Sequence, residues 1–290
     1  MIIVEDHEGQ KIEDIQKYGV DIFTVGSDWV GTFDCLKAFC DVVYLDRTPN
    51  ISSTMLRGSN YKITKMGIVG TGRIAERFVA EARYASGLIV TSAYNPDIES
   101  VNKFKKKCSE YEIAIETEQY DRFLENVDAV YIASTHETHY DYVKKALLAH
   151  KHVLCEKPLA FTKKDSEELY DIASDNNVVL MEAIKAAYCP GFQQLLNVVQ
   201  SGKIGEICDV EACFSRIASV NSRERTDAKY GGAFLEFGSY TLLPIIKLLG
   251  TDYRDIHFDT IYDENGVDLY TKVYMSYDNA MALSKNGVAV

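Results

Sequence analysis

Short apolar runs alternate with stretches of helical spacing along most of the chain. From the start, the pattern predicts a helix over Lys11–Tyr18, a strand over Val20–Val25, a helix over Thr32–Phe39 and a strand over Val42–Leu45. Alternation of this kind implies parallel βαβ pairing. Arg57-Gly58-Ser59-Asn60 is short, polar and rich in turn formers, which marks a boundary. The alternation then restarts. Strands are expected over Lys65–Val69, Leu88–Ala93, Asp128–Ala133, His152–Cys155 and Val178–Glu182, with helices over Ile74–Tyr84, Ile98–Cys108 and Tyr140–Ala149. Ile74, Phe78, Val79 and Ala82 recur at helical spacing and are expected to bury one face. Thr162 with Asp165 three residues on reads as a capping box opening a further helix. Beyond this run the character changes: Ile207–Ile217 alternates like a half-buried strand, Phe234–Leu249 reads as an apolar helix, and strands follow over Asp255–Tyr262 and Leu269–Tyr277.

The fold class expected from this order is α/β. A Rossmann-type doubly wound sheet over residues 63–185 is followed by a second, incomplete α+β open-sheet domain over 186–290, and a partial α/β segment over 1–60 precedes both. The first segment begins almost inside an element, and the chain stops at Ala289-Val290 without a closing helix. The expectation is a fragment cut at both ends. A length of 290 residues, 47% hydrophobic and 26% charged, suits about two packed domains and argues against disorder.

Charge and cysteines narrow the function. The formal net charge is −12, with excess acid on both sides of the boundary, so such a surface repels nucleic-acid phosphates and anionic lipid. No apolar run approaches the roughly 20 residues that span a bilayer. The first residues lack the basic flank and apolar core of a secretory signal. Seven cysteines without a C-x-x-C pair argue against a disulfide scaffold and a zinc site, and a reducing cytoplasm fits.

Gly70-Thr71-Gly72-Arg73-Ile74-Ala75 follows a predicted strand and opens a predicted helix. In a dinucleotide fold, Gly70 permits the tight turn, Gly72 lets the backbone approach a pyrophosphate, and Ala75 lets helix and strand pack closely. The anion then sits among free N–H groups at a helix N-terminus. A glycine turn in another doubly wound sheet would look similar. The ribose-binding position is open: the second strand ends Ala93-Tyr94-Asn95-Pro96-Asp97, where Asn95 can bond the ribose and Tyr94 can stack on adenine, while Asp97 equally suits a helix cap. No arginine stands beside them to hold a 2′-phosphate, and NAD and NADP remain balanced.

Cys155-Glu156-Lys157-Pro158 lies just past a strand's carboxyl end, where open α/β sheets place ligands. Lys157 there can stabilise charge on a substrate oxygen, or be a surface lysine before a proline stop. The surrounding run, His152 to Ala160, resembles the signature of the Gfo/Idh/MocA oxidoreductases. The resemblance extends from about Lys65 to the end and takes in the glycine loop, Thr135-His136-Glu137-Thr138-His139, Met181-Glu182-Ala183, and Gly231 through Tyr240. The last two look most similar to the branch with dimeric dihydrodiol dehydrogenase, xylose dehydrogenase and glucose–fructose oxidoreductase. It implies NAD or NADP as cofactor and a sugar, polyol or related diol as substrate.

Residue by residue, the resemblance makes Lys157 the catalytic lysine and Tyr240 the residue at a position often held by His. Glu236 falls where Asp is usual. Cofactor contacts are implied at Gly70, Thr71, Gly72, Arg73, Ile74, Tyr94 and Asn95, and at Ser134, Thr135, His136, His139, Glu156 and Lys157. Lys157, Arg225 and Tyr240 are implied to meet the substrate. The chemistry is coherent on its own terms. A carbinol hydroxyl needs a base, and a tyrosine with an ordinary pKa of about 10 needs a nearby cation to serve at neutral pH; Lys157 is the expected cation. Tyr240 alone would otherwise read as one core tyrosine among 19. His136 and His139 lack the acidic or cysteine partners of a metal site and are read as loop residues beside the nicotinamide; no metal is expected. A homodimer through the C-terminal sheet is the family's usual assembly.

The N-terminal piece, through Gly26-Ser27-Asp28-Trp29 and Arg47-Thr48-Pro49-Asn50-Ile51-Ser52-Ser53-Thr54, resembles the C-terminal half of glycerol-3-phosphate cytidylyltransferases. Arg47, Thr48, Ser52, Ser53 and Thr54 match a CTP-binding motif, with Arg47 suited to triphosphate charge. The same residues also suit a strand end followed by a capped helix. The family's H-x-G-H motif is absent, since His7 is the one histidine before position 136. The overall expectation is an NAD(P)-dependent sugar or polyol oxidoreductase fused to a partial cytidylyltransferase segment. The alternative is a dinucleotide-binding sensor or scaffold attached to such a transferase.

Overall fold

A computed structural model describes residues 7, 9–45 and 63–289. The chain divides into two compact units at residues 62 and 63. In the first, α1 (Gln10–Tyr18) precedes strands β1 (Ile22–Gly26) and β2 (Asp41–Leu45), which pair in parallel with Ile22 opposite Asp41 and Gly26 opposite Leu45. The helix expected over Thr32–Phe39 is instead a five-residue 3-10 turn, Asp34–Ala38. Gly31 at a φ of +84° breaks the backbone ahead of it. The Tyr44 hydroxyl donates to Asp34 Oδ1 at 2.8 Å and accepts from the Phe33 N–H at 3.2 Å, which pins a short connection. The CTP-like residues Arg47, Thr48, Ser52, Ser53 and Thr54, and the boundary stretch at 57–60, lie outside the described residues.

The second unit begins with six parallel strands. They are β3 (Thr64–Val69), β4 (Leu88–Tyr94), β5 (Ala114–Glu116), β6 (Ala129–Ile132), β7 (His152–Cys155) and β8 (Leu180–Glu182), in the spatial order β5-β4-β3-β6-β7-β8. This is the doubly wound order, and it reverses between β3 and β6, where such sheets bind ligands. Met66 through Val69 are buried on both faces, as strands sandwiched between helix layers must be. Helices α2 (Arg73–Ala82), α3 (Ile98–Lys107), α4 (Tyr120–Glu125), α5 (His139–Leu148) and α6 (Lys163–Asp175) connect them.

Three local details differ from the sequence reading or complete it. In α2 the buried stripe is Ala75, Val79 and Ala82. Ile74, one residue earlier and so about 100° around the helix, is 42% exposed. Phe78 leaves that stripe to stack on Tyr131 at 3.9 Å. Thr162 does cap α6, its hydroxyl accepting from the Asp165 N–H at 3.1 Å. The short β5 and α4, which the hydropathy pattern did not mark, close the sheet edge, with Tyr120 and Phe123 buried against Tyr94.

The chain then runs through α7 (Pro190–Gln200), β9 (Asp209–Ser215), the short turn α8 (Arg223–Thr226), the long α9 (Ala233–Leu249) and strands β10 (Asp255–Tyr262), β11 (Asp268–Ser276) and β12 (Met281–Gly287). The four strands form a second sheet in the order β10-β11-β12-β9, antiparallel except that β12 and β9 run in parallel. Ile245 of α9 packs with Val210, Val273, Met275 and Ala282 of the sheet. β12 was not expected from the sequence. Its inward positions include Ser284 and Asn286, both fully buried, which bond Thr241 of α9 and each other at 2.8–2.9 Å. Among the described residues no helix is long and apolar enough to cross a membrane.

Candidate active site

The reversal of strand order puts two loops side by side at the carboxyl edge of the six-stranded sheet. One is the glycine loop after β3, the other Ala133-Ser134-Thr135 after β6. They line a cleft of about 370 Å³ together with Tyr94, Asn95, Pro96, Asp97, Ser100, Thr138 and Tyr142. Gly70 adopts a φ of +93°, and a Cβ there would lie 2.6 Å from the Ala133 carbonyl oxygen, so the fold itself demands glycine. Gly72 differs. Its φ is −84°, and a Cβ would meet nothing within 4 Å. Nothing in the protein requires glycine at 72, so the space it leaves belongs to whatever enters the cleft. The first-turn N–H groups of Arg73, Ile74 and Ala75 lack intrahelical partners and suit a pyrophosphate. The donor set therefore fits a dinucleotide.

Several expected contacts fall elsewhere. The Arg73 and Ile74 side chains are exposed and stand outside the cleft lining. Tyr94 lines the cleft, but its ring is 7% exposed and packs against Tyr120, Phe123 and Tyr142 at 5.1–5.9 Å, so it does not offer a stacking face to adenine. Asn95 donates to the Thr71 hydroxyl at 2.7 Å and braces the glycine loop. Asp97 is a helix cap: its Oδ1 accepts from Glu99 and Ser100 N–H at 3.0 and 3.4 Å.

Both histidines are embedded rather than on an open loop. His139 opens α5, is fully buried, and its Nδ1 donates to the Pro158 carbonyl at 2.8 Å, tying α5 to the lysine loop. His136 is 9% exposed, and burial first, then the Arg223 and Lys157 charges, push its pKa down to about 3. Its imidazole is neutral, with Nε2 accepting from Arg223 at 3.3 Å and Nδ1 donating to the Tyr230 carbonyl at 3.3 Å. Glu156 accepts from the Tyr131 hydroxyl at 2.6 Å, so its carboxylate is held against β6.

Past the end of β7, Lys157 meets α9. Its Nζ donates to the Glu236 carbonyl at 2.9 Å and to Glu236 Oε2 at 3.3 Å, and lies 5.7 Å from the centre of the Tyr240 ring. Glu236 and Tyr240 are four residues apart on α9 and so share one helix face. Glu236, 7% exposed, is also held by Arg223 Nη2 at 2.5 Å. Lys157 and Arg223 together supply the counter-charge such burial requires. The expected effect of Lys157 on Tyr240 is not what the geometry delivers. The ammonium faces the ring and is committed to Glu236. Burial first, then Glu156 and Glu236, push the Tyr240 pKa up.

Arg223 is the residue that the sequence reading missed. Arg225, expected to meet substrate, has no hydrogen-bonding or ionic partner for its guanidinium among the described residues. The two sit two residues apart in one helical turn, about 200° around the axis, and Arg223 is the one tied to Glu236. Gly231 makes the approach possible: a Cβ there would lie 2.4 Å from the Arg223 carbonyl oxygen. Among the described residues no cluster of three His, Cys, Asp or Glu could hold a metal ion.

Comparison with known proteins agrees with this architecture. Residues 64–184 match the oxidoreductase-family NAD-binding Rossmann fold, and residues 192–288 match the GFO/IDH/MocA C-terminal domain. The chain is 30% identical over 227 residues to scyllo-inositol 2-dehydrogenase (NADP(+)) of Bacillus subtilis, which covers 76% of this chain and 68% of that protein. It is 29% identical to the dTDP-3,4-didehydro-2,6-dideoxy-α-D-glucose 3-reductase of Actinomadura kijaniata, over 67% of this chain but 58% of that enzyme. A crystal structure of a 3-ketoreductase from Actinomadura kijaniata with NADP and TDP-benzene superposes with a TM-score of 0.69 at 25% identity, covering 78% of this chain and 70% of that one. The chain belongs to the Gfo/Idh/MocA family of oxidoreductases, whose cofactor is a nicotinamide dinucleotide, NAD or NADP.

Proposed function

We propose that residues 63–290 transfer hydride between NAD(P) and a sugar, polyol or related diol, with residues 63–185 holding the cofactor and 186–290 contributing Glu236, Tyr240 and the substrate face. The observation that carries this reading is the position of Lys157 beside Glu236 and Tyr240, past the same sheet edge onto which the cleft opens. The names of the relatives, an inositol dehydrogenase and a sugar 3-reductase, support the substrate class. Bound in the cleft, the nicotinamide supplies or accepts the hydride. An ammonium has three protons; two of those on Lys157 go to Glu236, and the third is free for a substrate oxygen. Glu236 fixes the direction of that proton, and Arg223 holds Glu236. The raised pKa of Tyr240 keeps its hydroxyl protonated through neutral pH, which suits a proton donor to the alkoxide formed on carbonyl reduction.

The test is a screen of polyols, aldoses and their ketones with the full-length protein, followed by nicotinamide absorbance. Reduction should be nearly flat with pH around neutrality. Oxidation, in which Tyr240 must first lose its proton, should accelerate towards and beyond the ordinary tyrosine value of about 10. Tyr240→Phe should slow both directions about 100-fold and remove that rise. An unchanged alkaline rise in the variant would assign the titration to another group.

Residues 1–60 we read as a partial cytidylyltransferase-like segment, supported by the parallel β1–β2 pair and by the Arg47–Thr54 run. With no H-x-G-H motif in the 290 residues, no CDP-glycerol or CDP-ribitol should form from CTP and a polyol phosphate. Pyrophosphate release in that assay would show a working transferase. A homodimer through the second sheet is supported by Ile261, Tyr274 and Met281 on the face away from α9, which are 38–64% exposed. The seven cysteines are free thiols, which supports a cytoplasmic setting.

A further inference from the structure

We propose that the cleft selects NAD over NADP, and that Asp97 makes the selection. The inference rests on reading the cleft as a dinucleotide site. Its lining contains no Lys, Arg or His, and its one charged residue is Asp97. A 2′-phosphate brings nearly two negative charges and three acceptor oxygens, which cations or free donors must meet. The neutral donors at the end of β4 are partly taken up by one another, and none carries a charge. One Asn95 amide N–H goes to Thr71 at 2.7 Å, and its Oδ1 accepts from the Asp97 N–H at 2.9 Å. Thr71 and Ser100 share a hydroxyl hydrogen bond at 2.7 Å. The Glu99 and Ser100 N–H groups, which a phosphate at the start of α3 would claim, point at Asp97 Oδ1.

The one charge in the cleft lining is an acceptor's. Asp97 Oδ2 has no hydrogen-bond partner among the described residues, and a ribose hydroxyl is the donor that fits it. The same oxygen repels a 2′-phosphate. A carboxylate that caps α3 with one oxygen and offers the other to the ribose excludes NADP without any bulky residue in the way. This chain therefore parts from its relative named for NADP(+) and from the reductase crystallised with NADP.

The experiment is a pair of direct titrations of the full-length protein with NADH and NADPH, read by nicotinamide fluorescence and independent of turnover. NADH should bind at least about 10-fold more tightly than NADPH. Asp97→Asn keeps an oxygen for the cap and removes the charge, so it should shrink the ratio at least about 3-fold, chiefly by strengthening NADPH. A melting curve within a few degrees of wild type shows that the variant is folded. Equal or tighter binding of NADPH by the wild type overturns the proposal, as does an unchanged ratio in Asp97→Asn. Binding of neither nucleotide would overturn the dinucleotide reading itself, which separates the two failures.

Discussion

Gly72→Val is expected to abolish NAD(P)H binding while the protein stays folded. The two cleft glycines do different jobs, and substitution separates them. At Gly72 the backbone is in an ordinary extended conformation and the space beyond Cα is open. Valine there costs the fold only about 1 kcal/mol, the difference between glycine and an apolar residue at a helix N-cap. Its methyl groups occupy the space where the pyrophosphate must approach. Gly70→Val should behave oppositely. A φ of +93° and a Cβ 2.6 Å from a carbonyl oxygen put the strain in the protein itself, at about 3 kcal/mol or more. Thermal melts and nucleotide titrations together check this. Gly72→Val melts close to wild type and does not bind; Gly70→Val melts far lower. Wild-type affinity in Gly72→Val would mean that the nucleotide does not cross this loop.

Lys157→Met should leave nucleotide binding nearly intact and slow hydride transfer about 100-fold or more, the scale of one acid–base or electrostatic group. The variant should fold, because Glu236 keeps Arg223 at 2.5 Å as a partner. It avoids the roughly 3–5 kcal/mol that a buried charge without any partner costs. Adding Tyr240→Phe should make little further difference, since groups that act as a unit are not additive. Single-turnover rates measured beside nucleotide affinity check both halves. If a substrate is turned over and both variants retain wild-type rates, other residues carry the chemistry. If nucleotide binds and no sugar, polyol or diol is turned over, the sensor reading gains.

Arg223 fits the same scheme through Glu236. It touches neither Lys157 nor Tyr240, but it shares the carboxylate that takes one of the lysine's protons. Its neighbour His136 is too strongly depressed to carry charge at neutral pH, so the cations at the buried Glu236 are Lys157 and Arg223.

The sequence alone determined those features that depend on local order and residue type. The glycine loop between a strand and a helix, the apolar runs of the parallel strands and the strand-end position of Lys157 are of this kind, because a strand buried on both faces must be apolar and a tight turn with positive φ must be glycine. Features whose meaning lies across the chain were decided only by tertiary structure. β12 was hidden because its buried positions, Ser284 and Asn286, are polar and are satisfied by Thr241 some 45 residues away. The Arg223 contact with Glu236 depended on which side of one turn faces α9, which spacing cannot say. Tyr94 carries the residue type for adenine stacking, but a three-residue edge strand and a six-residue helix draw its ring into the core. Lys157 was expected to lower the pKa of Tyr240. Burial and two carboxylates raise it instead, because a pKa answers to all the charges and the solvent around a group and not to one neighbour named from a motif.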